Sequence, residues 1–197
     1  APVMARFMLF SLCVFKRDGF AVGRVSVKPC AGCFFRRHVQ CKGNPVLVFL
    51  DFDGVLHPFP CHYALHFCQR DLLEDFFKQP AQADVRFVIS STWRNHYPLD
   101  ELRRWFSPDF RERIIGCTPK LDGIAWEGSR EREIQAWRQQ HGSLHEAWIA
   151  LDDMPPFFEP ECDNVYFCDA STGFAEKDCA ALTEHIARIR PRYGRTS

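Results

Sequence analysis

The sequence predicts one α/β domain, a mostly parallel sheet covered by helices on both faces. Five short apolar runs, at 46–50, 85–89, 113–117, 147–151 and 164–168, have the length and composition of buried strands. Stretches near 65–79, 98–106, 130–141 and 176–189, with apolar residues three and four apart, lie between and after them. The chain has 197 residues, 46% of them apolar, enough for one core and too few for two large domains. Strands alternating with helices require right-handed crossovers, which make the neighbouring strands parallel.

Each element follows from its own residues. The run "VLVFL" ends abruptly at Asp51. In the first helical stretch, "LHFCQRDLLEDFF", Leu65, Cys68, Leu72, Leu73 and Phe76 share one predicted face. "VRFVI" runs into "SSTWR", where Thr92 or a neighbour is expected to cap the next helix. "RIIGC" leads to "TPK", and "GSREREIQAW" then opens a helix that Ser129 is suited to cap. "AWIAL" ends in Asp152 and Asp153, and "NVYFC" leads into "DASTG". In sheets of this kind, ligands bind beyond the carboxyl ends of the strands. The segments after each run therefore gather acids, hydroxyls and a basic residue on one rim.

Composition narrows the function. Lysine and arginine together number 25, as do aspartate and glutamate, so no global field draws the chain to nucleic acid or membrane. Ten scattered cysteines in a chain this long read as reduced thiols rather than a disulfide framework, which favours the cytoplasm. Residues 1–44 read as a poorly ordered or loosely docked leader. Their apolar run, within "ARFMLFSLCVFKR", is too short to span a bilayer, and no small-residue cleavage site follows it. Cys30, Cys33, His38 and Cys41 have spacings that suggest a small zinc site, though the last spacing is short. The α/β domain is expected over 45–190, with a tail at 191–197.

The chemistry is concentrated in "VLVFLDFDGVLHP". Asp51 and Asp53 are two apart on an extended strand, so both point the same way, roughly 6.5 Å apart. Phe52 then faces the core, and Gly54 permits a sharp departure and close backbone approach to a ligand. Two carboxylates facing one small volume repel unless a cation or proton intervenes. A hard divalent ion meets that need, and Mg2+ favours few carboxylates plus phosphate oxygen. Asp152 and Asp153 add a second acidic pair on the same rim, while Ser90 and Ser91 offer hydroxyls to a phosphate oxygen.

Together these residues resemble the haloacid dehalogenase (HAD)-like phosphohydrolase superfamily. Asp51-Phe52-Asp53-Gly54-Val55 matches its first motif, Ser91 in "VISSTWR" its second, and Asp152-Asp153 in "WIALDD" its fourth. The third motif is a lone basic residue opening a helix. Arg130 is favoured for it, with Arg132 and Lys120 as alternatives. "SSTWR", "IIGCTP", "REREIQAW" and "WIALDD" further resemble the HAD domain of bacterial Swiss Army Knife RNA repair proteins.

The resemblance implies a Rossmann-like sheet and a Mg2+-dependent phosphatase working through an aspartyl-phosphate. Asp51 is then the nucleophile and Asp53 the general acid and base. Asp51, the backbone carbonyl of Asp53, and one or both of Asp152 and Asp153 hold Mg2+, and Arg130 neutralises the phosphoryl oxygens. The intervals from Asp53 to Ser90 and from Arg94 to Arg130 have no room for a cap domain. A minimal cap or none favours a phosphorylated substrate that closes the site itself, such as a nucleic-acid end or a protein phosphate, and a nucleotide or nucleic-acid terminal phosphate is the expectation.

"FPCHYALHFC" is suited to a small lid. His57, His62 and His66 there read as surface or capping residues, with His57 a candidate for substrate contact. Arg94 either stacks on a base or pairs with a rim aspartate, and Trp93 is expected to pack under the following helix. Two other functions fit the same rim. One is a non-catalytic binding or regulatory module, and the other is a metal-dependent phosphotransferase or nuclease.

Overall fold

The computed structural model describes residues 45–193. The leader, its cysteine-histidine cluster and the last four residues lie outside the described residues. Five strands, β1 (Val46–Leu50), β2 (Arg86–Ile89), β3 (Ile114–Cys117), β4 (Ala147–Asp152) and β5 (Val165–Phe167), form one sheet. Its order is β3-β2-β1-β4-β5, and all four pairings are parallel. This is the Rossmann-like α/β architecture expected.

Side chains alternate across each strand, and the sheet separates them into two cores. Val46, Val48 and Leu50 of β1 join Phe87, Ile89, Ile149 and Leu151 on one face. Leu47 and Phe49 join Val88, Trp148 and Ala150 on the other. Because β1 is buried on both faces, its five residues must all be apolar.

The larger core is covered by α1 (Arg70–Lys78), α2 (Leu99–Arg104), α3 (Pro108–Arg111) and α5 (Glu176–Ile189). The smaller one lies under α4 (Ser129–Gln140), through Ile134 and Trp137.

Several boundaries differ from the sequence reading. The first helix starts at Arg70, preceded by a 3-10 turn at Tyr63–Leu65 and a left-handed Phe67 (φ 63°). Leu65 is therefore exposed, and the buried face of α1 is Leu73, Phe76 and Phe77. Gly128, at φ 67°, holds the N-cap position of α4, so Ser129 is its first residue and not its cap. Here a left-handed turn replaces the side-chain cap. Within the expected tail, the Tyr193 ring centre lies 5.7 Å from the Arg138 guanidinium, and the Tyr193 hydroxyl accepts from the Asn164 side-chain amide. Among the described residues, no helix is long and apolar enough to cross a membrane, and the six cysteines are all free thiols.

Candidate active site

The candidate site lies at the carboxyl ends of the central strands. β1 and β4 are adjacent, with Leu50 paired to Leu151, so the residues that follow them come side by side. Asp51 follows β1, Asp152 closes β4, and Asp153 comes next. The carboxylate oxygens of these three residues fall within 4.8 Å of one another. Asp51 and Asp152 are buried, and Asp153 is half-buried.

Arg130, from the first turn of α4, reaches in from the other core. One of its nitrogens donates to Asp51 Oδ2 at 2.8 Å and to Asp152 Oδ2 at 2.9 Å. The remaining oxygens of these two acids accept backbone N–H groups. Phe52 donates to Asp51 Oδ1 at 2.7 Å, and Met154 to Asp152 Oδ1 at 2.9 Å. Gly54, at φ 68°, is required for a further reason. A Cβ there would sit 2.2 Å from Asp153 Cγ, so the missing side chain is the space that the carboxyl occupies.

The electrostatics show a shortage of positive charge. Burial, and then the Asp51 charge, raise Asp152 above the ordinary carboxylate range despite Arg130. The same two causes push Asp153 up to about 6. Although burial opposes the charge of Arg130, the facing Asp51 and Asp152 strengthen its hold on its proton. One guanidinium cannot neutralise three carboxylates, so the cluster either keeps a proton or takes up a further cation. This donor set fits a hard divalent metal, which Asp51, Asp152 and Asp153 would hold.

Asp53 has a different environment. Its Oδ2 accepts from Trp93 Nε1–H at 2.9 Å, and its Oδ1 faces His57 Nε2 at 3.0 Å. The Phe67 N–H points at His57 Nδ1 at 3.5 Å, which leaves the ring proton on Nε2, donated to Asp53. Burial raises the Asp53 carboxyl, but the hydrogen bonds from His57 and Trp93 outweigh it and hold it below the ordinary value.

His57 is thus a buried partner of Asp53, neither a surface residue nor a lining residue of the cavity. Trp93, half-buried against Phe52 and Trp105, also reaches Asp53. The Asp53–His57 spacing of four residues was visible in the sequence. The Trp93 contact was not, because it joins two strand ends 40 residues apart.

The hydroxyls are arranged differently from the sequence reading. Ser90 and Ser91 are both fully buried. Ser91 Oγ accepts from Trp93 N–H at 3.5 Å and caps the 3-10 turn Thr92–Asn95, and Ser90 Oγ is buried without a partner. Of these neighbouring hydroxyl residues, the one that lines the cavity is Thr92. This cavity, about 210 Å3, is bounded by Asp51, Asp53, Phe59, Thr92, Arg130, Asp153, Met154 and Phe157. Phe59 is the part of the expected lid that reaches it.

Arg94 pairs with Glu133 of α4, not with a rim aspartate, and donates to the carbonyls of Ser90, Ser91 and Thr118. It ties β2, β3 and α4 together and is too buried to stack on a base. Lys120 pairs with Asp122 at 3.5 Å, and Arg132 holds the carbonyls of Ala125 and Glu127. Arg130 is therefore the one of the three basic candidates that touches the acidic cluster. "DASTG" forms a turn in which Asp169 binds Ser171, and it supports the first motif through Phe59 N–H to Ala170 O and Phe174 N–H to Val55 O. His57, Cys61 and His66 also converge within 4.8 Å, but both His57 nitrogens face the partners described above.

A family model described as the HAD domain in Swiss Army Knife RNA repair proteins matches residues 47–179. This is well over half of the chain, and the chain belongs to that family. No curated protein and no solved structure was matched.

Proposed function

We propose that this HAD domain is a Mg2+-dependent phosphatase that works through an aspartyl-phosphate on Asp51, with a nucleotide or nucleic-acid terminal phosphate as substrate. The observation that carries the reading is the convergence of Asp51, Asp152 and Asp153 around Arg130, beside a cavity that Asp51, Asp53, Asp153 and Arg130 all line. A structural strand end has no need of three carboxylates, Asp51, Asp53 and Asp153, round one opening. A binding module would need no second carboxylate held beside the first by dedicated donors.

The cavity residues divide the work. Asp51 has one oxygen held by Phe52 N–H and the other by Arg130, which fixes its carboxylate at the cavity wall. An oxygen of Asp51 attacks phosphorus, the bond from phosphorus to the ester oxygen breaks, and its electron pair leaves with that oxygen. Asp53 supplies the proton the leaving oxygen needs. An arriving phosphate dianion raises the proton affinity of Asp53, which counteracts the hydrogen bonds that depress it.

With the alcohol gone, Asp53 takes a proton from the water that cleaves the acyl phosphate. Thr92 offers a hydroxyl, and Arg130 a guanidinium, to the phosphoryl oxygens. Bound Mg2+ would neutralise charge on those oxygens, where most phosphoryl-transfer catalysis lies. The cytoplasm, with its reduced thiols and abundant Mg2+, is the compartment that suits this chemistry.

The test is release of phosphate from p-nitrophenyl phosphate and from phosphorylated oligonucleotides, with Mg2+ and with EDTA. Mg2+-dependent release that is lost in Asp51→Asn is expected. Release unaffected by EDTA, or none from any phosphomonoester, would remove the proposal.

A further inference from the structure

A second groove, about 380 Å3, adjoins the cavity, with Thr92, Arg130 and Phe157 lining both. Its size is within the range of small-ligand sites. Leu121, Ile124, Ala125 and Trp126 give it an apolar wall, while Asn95 and Lys120 supply polar groups. Arg94 and Glu133 also line it, but they are engaged with each other, so this part of the wall presents no net charge.

Trp126 is 53% exposed, a large apolar area to leave in water. It is nevertheless held in place. Arg132 binds the carbonyls of Ala125 and Glu127 on either side of it, and Ser129 N–H donates to the Trp126 carbonyl at 3.2 Å. Gly128 N–H donates to Pro156 O at 2.9 Å, which joins this loop to the turn that carries Phe157. Trp126 meets Phe157 in a T-shaped contact, with centroids 5.3 Å apart and planes at 73°. Such a contact covers at most one face of the indole. The Phe157 ring in turn lies 5.2 Å from the Arg130 guanidinium carbon, so it separates the ledge from the cation that touches Asp51.

We propose that Trp126 is a specificity-determining residue, the ledge on which the base of a nucleoside phosphate stacks while its phosphate lies against Asp51 and Arg130. This rests on the phosphatase reading above. An aromatic plane beside an anion-binding cavity suits a ligand with a flat ring at one end and a phosphate at the other. A small sugar or glycerol phosphate has nothing to place on the indole. Base stacking on an aromatic side chain is sequence-tolerant, so the ledge selects a nucleotide without selecting its base.

The experiment compares the full chain with Trp126→Ala and Trp126→Phe on adenosine 5′-monophosphate, a 5′-phosphorylated trinucleotide and glycerol 3-phosphate. Selectivity for the nucleotides over glycerol phosphate, as a ratio of kcat/KM values, should fall roughly five- to a hundredfold in Trp126→Ala and be largely restored by Trp126→Phe. The larger loss, on the mononucleotide or on the trinucleotide, identifies a free nucleotide or a strand end as the source.

Calorimetric titration of the same ligands into Asp51→Asn, with and without Trp126→Ala, measures the split in Kd without turnover. A split in Kd with no phosphate released from any substrate keeps the ledge and removes the phosphatase reading. Equal losses for glycerol phosphate and nucleotides, or nucleotide binding unmoved by Trp126→Ala, would overturn the proposal.

Discussion

The two groups of carboxylates at the site handle negative charge in opposite ways. In one, Asp51, Asp152 and Asp153 crowd around the single guanidinium of Arg130, and burial with mutual repulsion raises Asp152 and Asp153. In the other, Asp53 is held by the N–H groups of His57 and Trp93 and lies below its ordinary value. The first arrangement is short of positive charge and suits a metal ion. The second has its charge solvated by fixed donors, which favour its ionised form. Chain proximity alone does not produce this division. Asp51 and Asp53 are two residues apart, yet each is governed by the element that packs against it, α4 for one and the turn after β2 for the other.

The sharpest way to break the comparison is to remove the residue that belongs to the crowded group and performs the chemistry. Asp51→Asn keeps the shape and one acceptor but cannot attack phosphorus. A loss of at least about 10⁴-fold in kcat is expected, with the fold intact by circular dichroism. Undiminished turnover would exclude Asp51 as nucleophile.

Asp53→Asn tests the other group. General acid catalysis contributes typically 10²–10⁴-fold, so formation of the phosphoenzyme should slow far more for an alkyl phosphate than for p-nitrophenyl phosphate. Nitrophenolate leaves without a proton, whereas an alkoxide does not. Single-turnover kinetics with both substrates separates this step from hydrolysis of the intermediate, which should slow equally for the two. Equal losses in the first step would assign Asp53 to structure or metal binding.

Arg130→Met asks how much the crowded group depends on its cation. Removing one partner of a buried ion pair leaves the other charges uncompensated, and about 3–5 kcal/mol of stability should be lost. Denaturant unfolding measures this directly, and Mg2+ should recover part of the loss. The corresponding change at Asp53, Trp93→Phe, removes one hydrogen bond to a charged group and should cost about 1.5–3 kcal/mol.

The mildest effect is on pH. Asp153, raised to about 6 in the metal-free fold, binds its proton more tightly folded than unfolded. Its contribution to stability therefore grows as pH falls from about 7 toward the ordinary 3.8. A metal needs the ionised form, so the rise in Tm on adding Mg2+ should be larger at pH 7.5 than at pH 5.5. At a hundredfold excess over Kd the rise should be about 5–10 °C at pH 7.5. Asp153→Asn should flatten this difference, and a flat response in the parent chain would contradict the assignment.

Much of this was decided by local sequence. The five apolar runs carry strand length and two-sided burial in their composition, so β1 falls on the residues its pattern indicates, Val46–Leu50. The acidic pairs announced themselves by following buried runs, because a carboxylate at the end of an apolar strand needs a partner. Arg130 was legible only as the favoured one of three basic candidates, through the resemblance and its place at a helix start.

What the tertiary structure alone decided is which group meets which. The hydroxyls of Ser90, Ser91 and Thr92 are chemically alike and adjacent, and only the 3-10 turn after β2 sends Ser90 and Ser91 inward and Thr92 to the cavity. The pairings of Trp93 with Asp53, Arg94 with Glu133, and Trp126 with Phe157 join residues from 31 to 40 positions apart. No periodicity encodes such contacts. They arise because parallel crossovers bring the carboxyl ends of separate strands to one rim, and the packing there selects each partner.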